Sequence, residues 1–306
     1  MQKPAIPKGT RDFGPEQMIK RTFILDTIRG VFKRYGFLPL ETPSMELLSV
    51  LTGKYGDEGD QLIFKILRNG DFLSRVKLPE TQADSTAEPL TWEQLGLSSK
   101  DALPQLSEKA LRYDLTVPFA RYVAMNHGTL AFPFKRYQVQ PVWRGDRPQK
   151  GRYQEFYQCD ADVVGTDSLV CEADIVSMVN DVFEGLGLRD FSLKINNRKV
   201  LIGLVETIGT AGKDAAFCVA IDKLDKIGLD KVEEELVKQG FEEQSIAALR
   251  PIMSFEGSFK DKIAHFKQFM TGSATGLQGL EELEQILHYL ELAQTDTSRL
   301  DFDITL

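Results

Sequence analysis

The sequence has 306 residues, 37 basic against 45 acidic side chains, and a formal net charge of -8. Hydrophobic residues make up 42% and charged residues 27%, ordinary globular values that exclude a disordered or low-complexity chain. The length suggests two domains, and the acidic balance argues against a general nucleic-acid coat while leaving room for a local basic groove. Cys159, Cys171 and Cys218 are too few and too scattered for a disulfide framework. They form no CxxC, and His127, His265 and His288 have no zinc-like spacing with them, so no protein-held metal is expected. The first residues lack the apolar core of a secretory signal, and no apolar run approaches the roughly 20 residues of a membrane helix. A soluble cytoplasmic protein is the expectation.

Residues 1–14 read as an extended lead. Pro15-Glu16 opens a helix, because proline suits the first turn and an acid meets the positive end of the dipole. Ile24, Ile28, Val31 and Tyr35 give it an apolar stripe, and Gly36 stops it. Residues 37–43 read as a strand whose Pro39 and Pro43 assign it to a sheet edge or a subunit contact. A short helix is expected from Met45 to about Leu51, then a buried strand at 62–67 and a turn at Arg68-Asn69-Gly70-Asp71. Residues 75–107 read as a loop-rich excursion with one helical turn near Trp92. Leu111–Thr116 reads as a strand leading into a helix from Pro118. Phe134–Arg144 and Tyr153–Val164 read as an antiparallel hairpin with a long tip. A helix at 169–186, a strand at 191–195 and a helix at 199–208 follow. Residues 213–293 are helix-like, polar and acidic, and 299–306 alternates again as a strand does.

The hairpin carries the chemistry. Between residues 132 and 160 stand Lys135, Arg136, Arg144, Arg147, Lys150 and Arg152 against Asp146, Glu155 and Asp160, a local charge of +3 in a chain of -8. Arginines on rigid strands suit polyphosphate, through planar bidentate donors; a solvated hairpin tip is the plainer account of the charge alone. Strand parity adds to this. The odd positions 153–163 are largely apolar and suit a core, while the even face carries Gln154, Phe156, Gln158, Asp160 and Asp162. Polar groups far from the tip are costly without partners. Together with Asp114 and Thr116, two apart on the expected strand, Gln158 and Asp162 could hold a small cationic ligand. An equally good account is a pair of structural acids partnered by Arg112 and Arg136.

Arg144-Gly145-Asp146-Arg147-Pro148-Gln149-Lys150-Gly151-Arg152-Tyr153-Gln154-Glu155-Phe156-Tyr157-Gln158 resembles motif 2 of the histidyl-tRNA synthetases, a class II aminoacyl-tRNA synthetase family. Leu111–Pro118 resembles that family's histidine-binding strand, and Lys8-Gly9-Thr10-Arg11-Asp12-Phe13 its N-terminal lead. The resemblance runs from residue 8 to 306 apart from the loop 75–107. It implies an α+β fold, a mostly antiparallel sheet flanked by helices with a helical insertion domain. The first part of the catalytic core would be residues 1–208, the insertion 209–296, and a strand returning to the core 297–306. It also implies a homodimer through the motif 1 region, residues 16–43.

By the same resemblance the activity is a histidine–tRNA ligase, which activates L-histidine with ATP and transfers it to tRNA(His), with Mg²⁺ bridging phosphates. Arg144 would be catalytic at the α-phosphate, and Arg144, Asp146 and Arg152 would bind ATP. Asp114, Thr116 and Gln158 would receive the α-ammonium, and Asp162 would read the imidazole. The family continues past a strand like that at 302–306 into an Arg-Gly-Leu-x-Tyr-Tyr segment, motif 3 and an anticodon-binding domain, none of which the sequence contains. An N-terminal fragment that does not aminoacylate alone is therefore expected. The alternative is a synthetase-like regulatory subunit of ATP phosphoribosyltransferase, in which the ATP and tRNA residues would be eroded. A weaker one is a tRNA-binding helical module using Lys223, Lys226, Lys260 and Lys262, against a merely solvated face.

Overall fold

The structure, a computed structural model, describes residues 3–70, 103 and 106–306; the expected loop 75–107 and its turn near Trp92 lie almost wholly outside the described residues. The chain forms two compact units, Met1–Thr166 and Asp167–Leu306.

In the first unit, α1 (Pro15–Arg34) begins with Pro15 at its first position, and the Gln17 side chain accepts from the Gly14 amide at 3.2 Å. It ends where Gly36 takes φ +78°, a conformation that glycine reaches without steric cost. Its inward residues are Val31 and Phe32, and Phe32 meets Tyr137 at 5.6 Å between ring centroids. Of the expected stripe Val31 is buried, Ile28 and Tyr35 are half-buried and Ile24 is exposed.

β1 (Leu38–Pro39) is shorter than expected and lies at the edge of a three-stranded sheet, β1-β5-β6. Pro39 and Pro43 explain both facts, since proline cannot donate to a ladder. β5 (Phe134–Trp143) and β6 (Glu155–Val164) pair antiparallel over their full lengths, from Phe134↔Val164 to Trp143↔Glu155, as the alternation predicts. A second sheet, β2 (Met45–Leu47), β4 (Ser107–Leu111) and β3 (Lys65–Leu67) in the order β2-β4-β3, is also antiparallel.

Two local expectations fail here. Met45–Leu47 is a strand, because it pairs with β4, and only Leu48–Leu51 is the helix α2. The segment expected as strand 111–116 ends at Leu111, and α4 (Thr116–Asn126) starts two residues before Pro118. Pro118 thus sits inside the first turn, where its missing N–H costs nothing. Between α2 and β3 lies α3 (Gly56–Gln61).

The second unit holds α5 (Val170–Gly185), β7 (Leu193–Ile195), α6 (Arg198–Thr207), α7 (Asp214–Ile221), α8 (Leu224–Ile227), α9 (Leu229–Lys238), α10 (Glu243–Met253), α11 (Phe259–Phe269), α12 (Ala274–Leu292) and β8 (Leu300–Phe302). β7 and β8 pair in parallel. One apolar cluster runs through it, including Ala173, Leu204, Phe217, Leu249, Phe266, Leu287 and Phe302. The sequence reading divides the chain at 208/209, whereas the compact units divide at 166/167. The reason is packing: Ala173 of α5 and Val200, Leu201, Leu204 and Val205 of α6 are buried in the same cluster as the helices that follow. α6 and α12 approach closely through glycine: a Cβ on Gly203 would lie 2.3 Å from the Gly276 Cα.

Candidate active site

The β5–β6 ladder has two faces. Residues directly opposite in an antiparallel pair share a face, so Tyr137↔Ala161 and Val139↔Cys159 form the apolar side, with Tyr137 and Val139 buried. That side is covered by α1 near Tyr137 and opens toward the tip, where Tyr157 is exposed. The odd face of β6 is therefore core at one end only.

The other face is a polar ladder of Arg136↔Asp162, Gln138↔Asp160 and Gln140↔Gln158. Arg136 and Gln138 are fully buried. Arg136 Nη2 lies 2.7 Å from Asp162 Oδ2 and donates to the Leu115 carbonyl at 3.3 Å. Gln138 donates to Thr42 Oγ1 at 2.8 Å. Arg112, also fully buried, turns away from the acids: it donates to the carbonyls of Thr42 at 2.6 Å and Pro141 at 2.9 Å. Of the two arginines offered as structural partners, only Arg136 meets Asp162. Among the described residues, Gln158 Oε1, Gln138 Oε1, Asp162 Oδ2 and the Nε and Nη1 of Arg136 are buried with no hydrogen-bond partner, Asp162 Oδ2 being ion-paired only. Unmet buried polar atoms are costly, and this cluster is chemically suited to a polar ligand.

Asp114 and Thr116 are not side by side on a strand. Asp114 lies in the turn after β4, where it accepts from the Tyr55 hydroxyl at 2.9 Å and from the Val117 amide at 3.1 Å. Thr116 is exposed at the first position of α4. The correction has a physical basis: an acid three residues before an amide at a helix start caps that helix, and the strand pattern is only a short run. Even so, Asp114 shares the electrostatic environment of the ladder, since its charge raises the proton affinity of both Asp160 and Asp162. Burial pushes the Asp160 carboxyl up to about 6, against the pull of Arg136. Burial likewise raises Asp162, opposed by Arg136. Burial and the neighbouring Asp114 raise the Tyr55 hydroxyl far above its ordinary value, so it stays a donor.

Arg144 stands at the end of β5, its guanidinium 4.4 Å from the Tyr113 ring centroid and 5.2 Å from that of Phe156. Its Nε donates to the Tyr113 carbonyl at 3.2 Å. Tyr113 in turn packs on Tyr55 at 4.5 Å. Beyond it the tip folds back: Gln149 and Arg152 bridge, and Arg152 pairs with Asp146 at 3.1 Å. The lead docks on this loop. The Gln154 amide donates to the Gly9 carbonyl at 2.8 Å, and a Cβ on Gly9, at φ +86°, would lie 2.8 Å from the Gln154 side chain. Arg11 covers the Tyr153 ring at 3.4 Å.

The lysines offered as a tRNA clamp are all paired: Lys223 with Glu235, Lys226 with Asp222, Lys260 with Glu291 and Lys262 with Asp301, at 2.6–3.1 Å. They read as solvated helical faces. A cavity of about 750 Å³ among residues 194–306 has cations on its wall, but Lys194, Arg198 and Lys223 are each engaged by an acid.

Sequence reasoning missed Tyr55 and undervalued Arg136. Tyr55 lies 59 residues from Asp114, and nothing local links them. The signal for Arg136 was available in the register, which sets it opposite Asp162.

The family profile described as Histidyl-tRNA synthetase matches residues 98–306. The chain belongs to this family. A histidine–tRNA ligase of Cytophaga hutchinsonii is 53% identical over all of this chain and 64% of its own length. The crystal structure of histidyl-tRNA synthetase from Nostoc sp. PCC 7120 superposes with a TM-score of 0.79 at 30% identity, over 100% of this chain and 62% of that one. A structure from Bacillus halodurans, titled as an ATP phosphoribosyltransferase regulatory subunit/histidyl-tRNA synthetase, gives 0.74 at 20% identity, over 100% and 70%, and speaks to the fold alone. The chain thus spans somewhat less than two thirds of the curated relative's length. Its fold is the mixed helix-and-sheet class II synthetase catalytic fold of the family. No described helix is long and apolar enough to cross a membrane.

Proposed function

We propose that the protein is a histidine–tRNA ligase, with the polar face of β5–β6 as its histidine site and the Arg144 end as its ATP site. The observation that carries this is the arrangement of carboxylates. Asp162 has one oxygen held by Arg136 and its side chain 31% exposed, and Asp114 and Asp160 contribute to the same field. Three acids around one buried guanidinium leave an excess of negative charge, which suits an α-ammonium and an imidazole N–H. Gln158, whose buried Oε1 lacks a partner, supplies a further acceptor; Asp114 and Thr116 complete the ammonium side in this reading.

The chemistry has two steps. A carboxylate oxygen of histidine attacks the α-phosphorus of ATP, the bond to the β-phosphate oxygen breaks, and pyrophosphate leaves. A terminal ribose hydroxyl of tRNA(His) then attacks the acyl carbon, and AMP leaves. Negative charge builds on the α-phosphoryl in the first step, and a preorganised cation lowers that barrier. Arg144 lies against the rings of Tyr113 and Phe156 and is the proposed catalytic group. Asp146 and Arg152 hold ATP from the loop. Among the described residues no group of three or more His, Cys, Asp or Glu side chains is placed to hold a metal. A Mg²⁺ arriving on the phosphates of ATP fits that donor set.

The motif 1 region supports self-association: Met18, Ile19, Phe23 and Ile24 of α1 and Leu38 of β1 are all exposed. Exposed apolar side chains on that helix and on the edge strand suit contact with a second copy of the chain. We retain residues 1–208, 209–296 and 297–306 as the functional division, and the cytoplasm as the setting, with three free cysteines. Arg144, Asp146, Arg152, Gln158 and Asp162 are all present, which favours the ligase over the regulatory-subunit reading.

The test is ATP–pyrophosphate exchange by the whole protein across the amino acids. Histidine alone should drive it; exchange with another amino acid and none with histidine would overturn the assignment.

A further inference from the structure

Among the described residues of the first unit, Arg112 and Arg136 are fully buried, and their partners differ in kind. Arg112 spends its Nε and Nη1 on backbone carbonyls and on Gln140, with its Nη2 unpaired, and meets no carboxylate. Arg136 reaches a carboxylate that is itself partly open, Asp162 at 2.7 Å, and the carbonyl of Leu115 at 3.3 Å. Leu115 lies between Asp114 and Thr116. One guanidinium therefore ties β6 to the turn that carries the other ammonium-side residues. That guanidinium lies over the Phe119 ring of α4 at 4.2 Å from the centroid, a second contact that restrains it.

Stability does not explain this residue. Two of its nitrogens, Nε and Nη1, are buried without an acceptor in the protein. A guanidinium buried in an ion pair commonly adds no more stability than an apolar side chain of similar volume. What it supplies is geometry. Its Nη2 stands 2.7 Å from Asp162 Oδ2, an ion pair without a hydrogen bond, which holds the carboxylate beside the guanidinium and leaves Asp162 free to accept from a ligand.

We propose that Arg136 is a positioning residue for amino-acid recognition, which orients Asp162 and holds β6 in register with the Asp114–Thr116 turn. The inference rests on the histidine reading of Asp162 given above.

The experiment is steady-state ATP–pyrophosphate exchange by the whole protein, with KM measured separately for histidine and ATP. Arg136→Leu should raise the KM for histidine by at least about tenfold and change that for ATP by less than about twofold, the loss of an oriented charge-assisted contact. Arg136→Lys, which keeps the charge but not the planar fork, should fall between the wild type and Arg136→Leu. In an Asp162→Asn background, Arg136→Leu should add less than about twofold, because it acts through that carboxylate. Additive effects, equal changes in both KM values, or an unchanged histidine KM would overturn the proposal. If Arg136→Leu does not fold, Arg136→Lys decides: an unaltered histidine KM overturns the proposal, and a selective rise at an unchanged melting temperature supports it. A wild-type protein without histidine-dependent exchange would overturn the proposed function and this inference together. Normal wild-type exchange with unaffected variants would overturn the inference alone.

Discussion

The two compact units each have an apolar cluster but differ in the polar groups they bury beside it. In residues 167–306 the interior is continuous and apolar, from Ala173 through Phe217 and Leu249 to Phe302. In and beside the β5–β6 ladder the buried residues include Arg136 and Gln138 of β5 and Arg112 just after β4, and several of their polar atoms lack partners among the described residues. The first arrangement is what removal of apolar surface from water produces. The second costs folding free energy, and it is found where the site is proposed. Unmet polar groups gathered beside crowded carboxylates mark the region shaped for a ligand, whereas the second unit's isolated unmet atoms, on Glu233 and His265, stand apart in a region shaped by apolar packing.

The contrast breaks most sharply under core truncation. Phe217 is fully buried, and Phe217→Ala should destabilise the second unit by about 3–5 kcal/mol. Chemical denaturation followed by circular dichroism measures this; a loss below about 1 kcal/mol would show that the apolar cluster is not what holds that unit together.

Removing a site cation should act on rate rather than on folding. Arg144→Ala should slow adenylation at least tenfold, on the order of 1.4 kcal/mol of barrier or more, with the melting temperature little changed. Single-turnover adenylate formation is the direct readout, and an unchanged rate removes the role assigned to Arg144.

A smaller effect sharpens the electrostatic side of the comparison. The Asp160 carboxyl titrates near 6 in the folded protein, raised by burial and by Asp162 and Asp114 against the pull of Arg136 and Arg144. Its unfolded value is about 3.9. Between these values the folded chain holds a proton that the unfolded chain has released, so this group's contribution is most favourable below about pH 4 and is lost as pH rises through about 6. Asp160→Asn removes that loss. The variant's melting temperature relative to wild type should therefore climb from pH 4 to 7 and then level off; a constant difference would contradict the burial argument.

Much of this was legible in the sequence, for identifiable reasons. The long alternation at 134–143 and 155–164 specifies a hairpin, and parity alone separates Gln158, Asp160 and Asp162 from Tyr157, Cys159 and Ala161. Pro39 announces an edge strand. The shorter runs misled. Leu111–Thr116 has the composition of a strand, but Asp114 caps the next helix, and that preference is a local hydrogen bond rather than a period. Tyr55 and Arg136 take their meaning from partners 59 and 26 positions away, which only register and tertiary packing bring to them.

The central claim is that Asp162 reads the amino acid, and Asp162→Asn tests it most directly. The substitution keeps the shape and removes the charge that faces Arg136. In ATP–pyrophosphate exchange the account predicts a KM for histidine raised at least about tenfold and a KM for ATP nearly unchanged, as expected when a buried recognition contact is lost. Equal changes in the two constants would make Asp162 a structural acid and contradict the account.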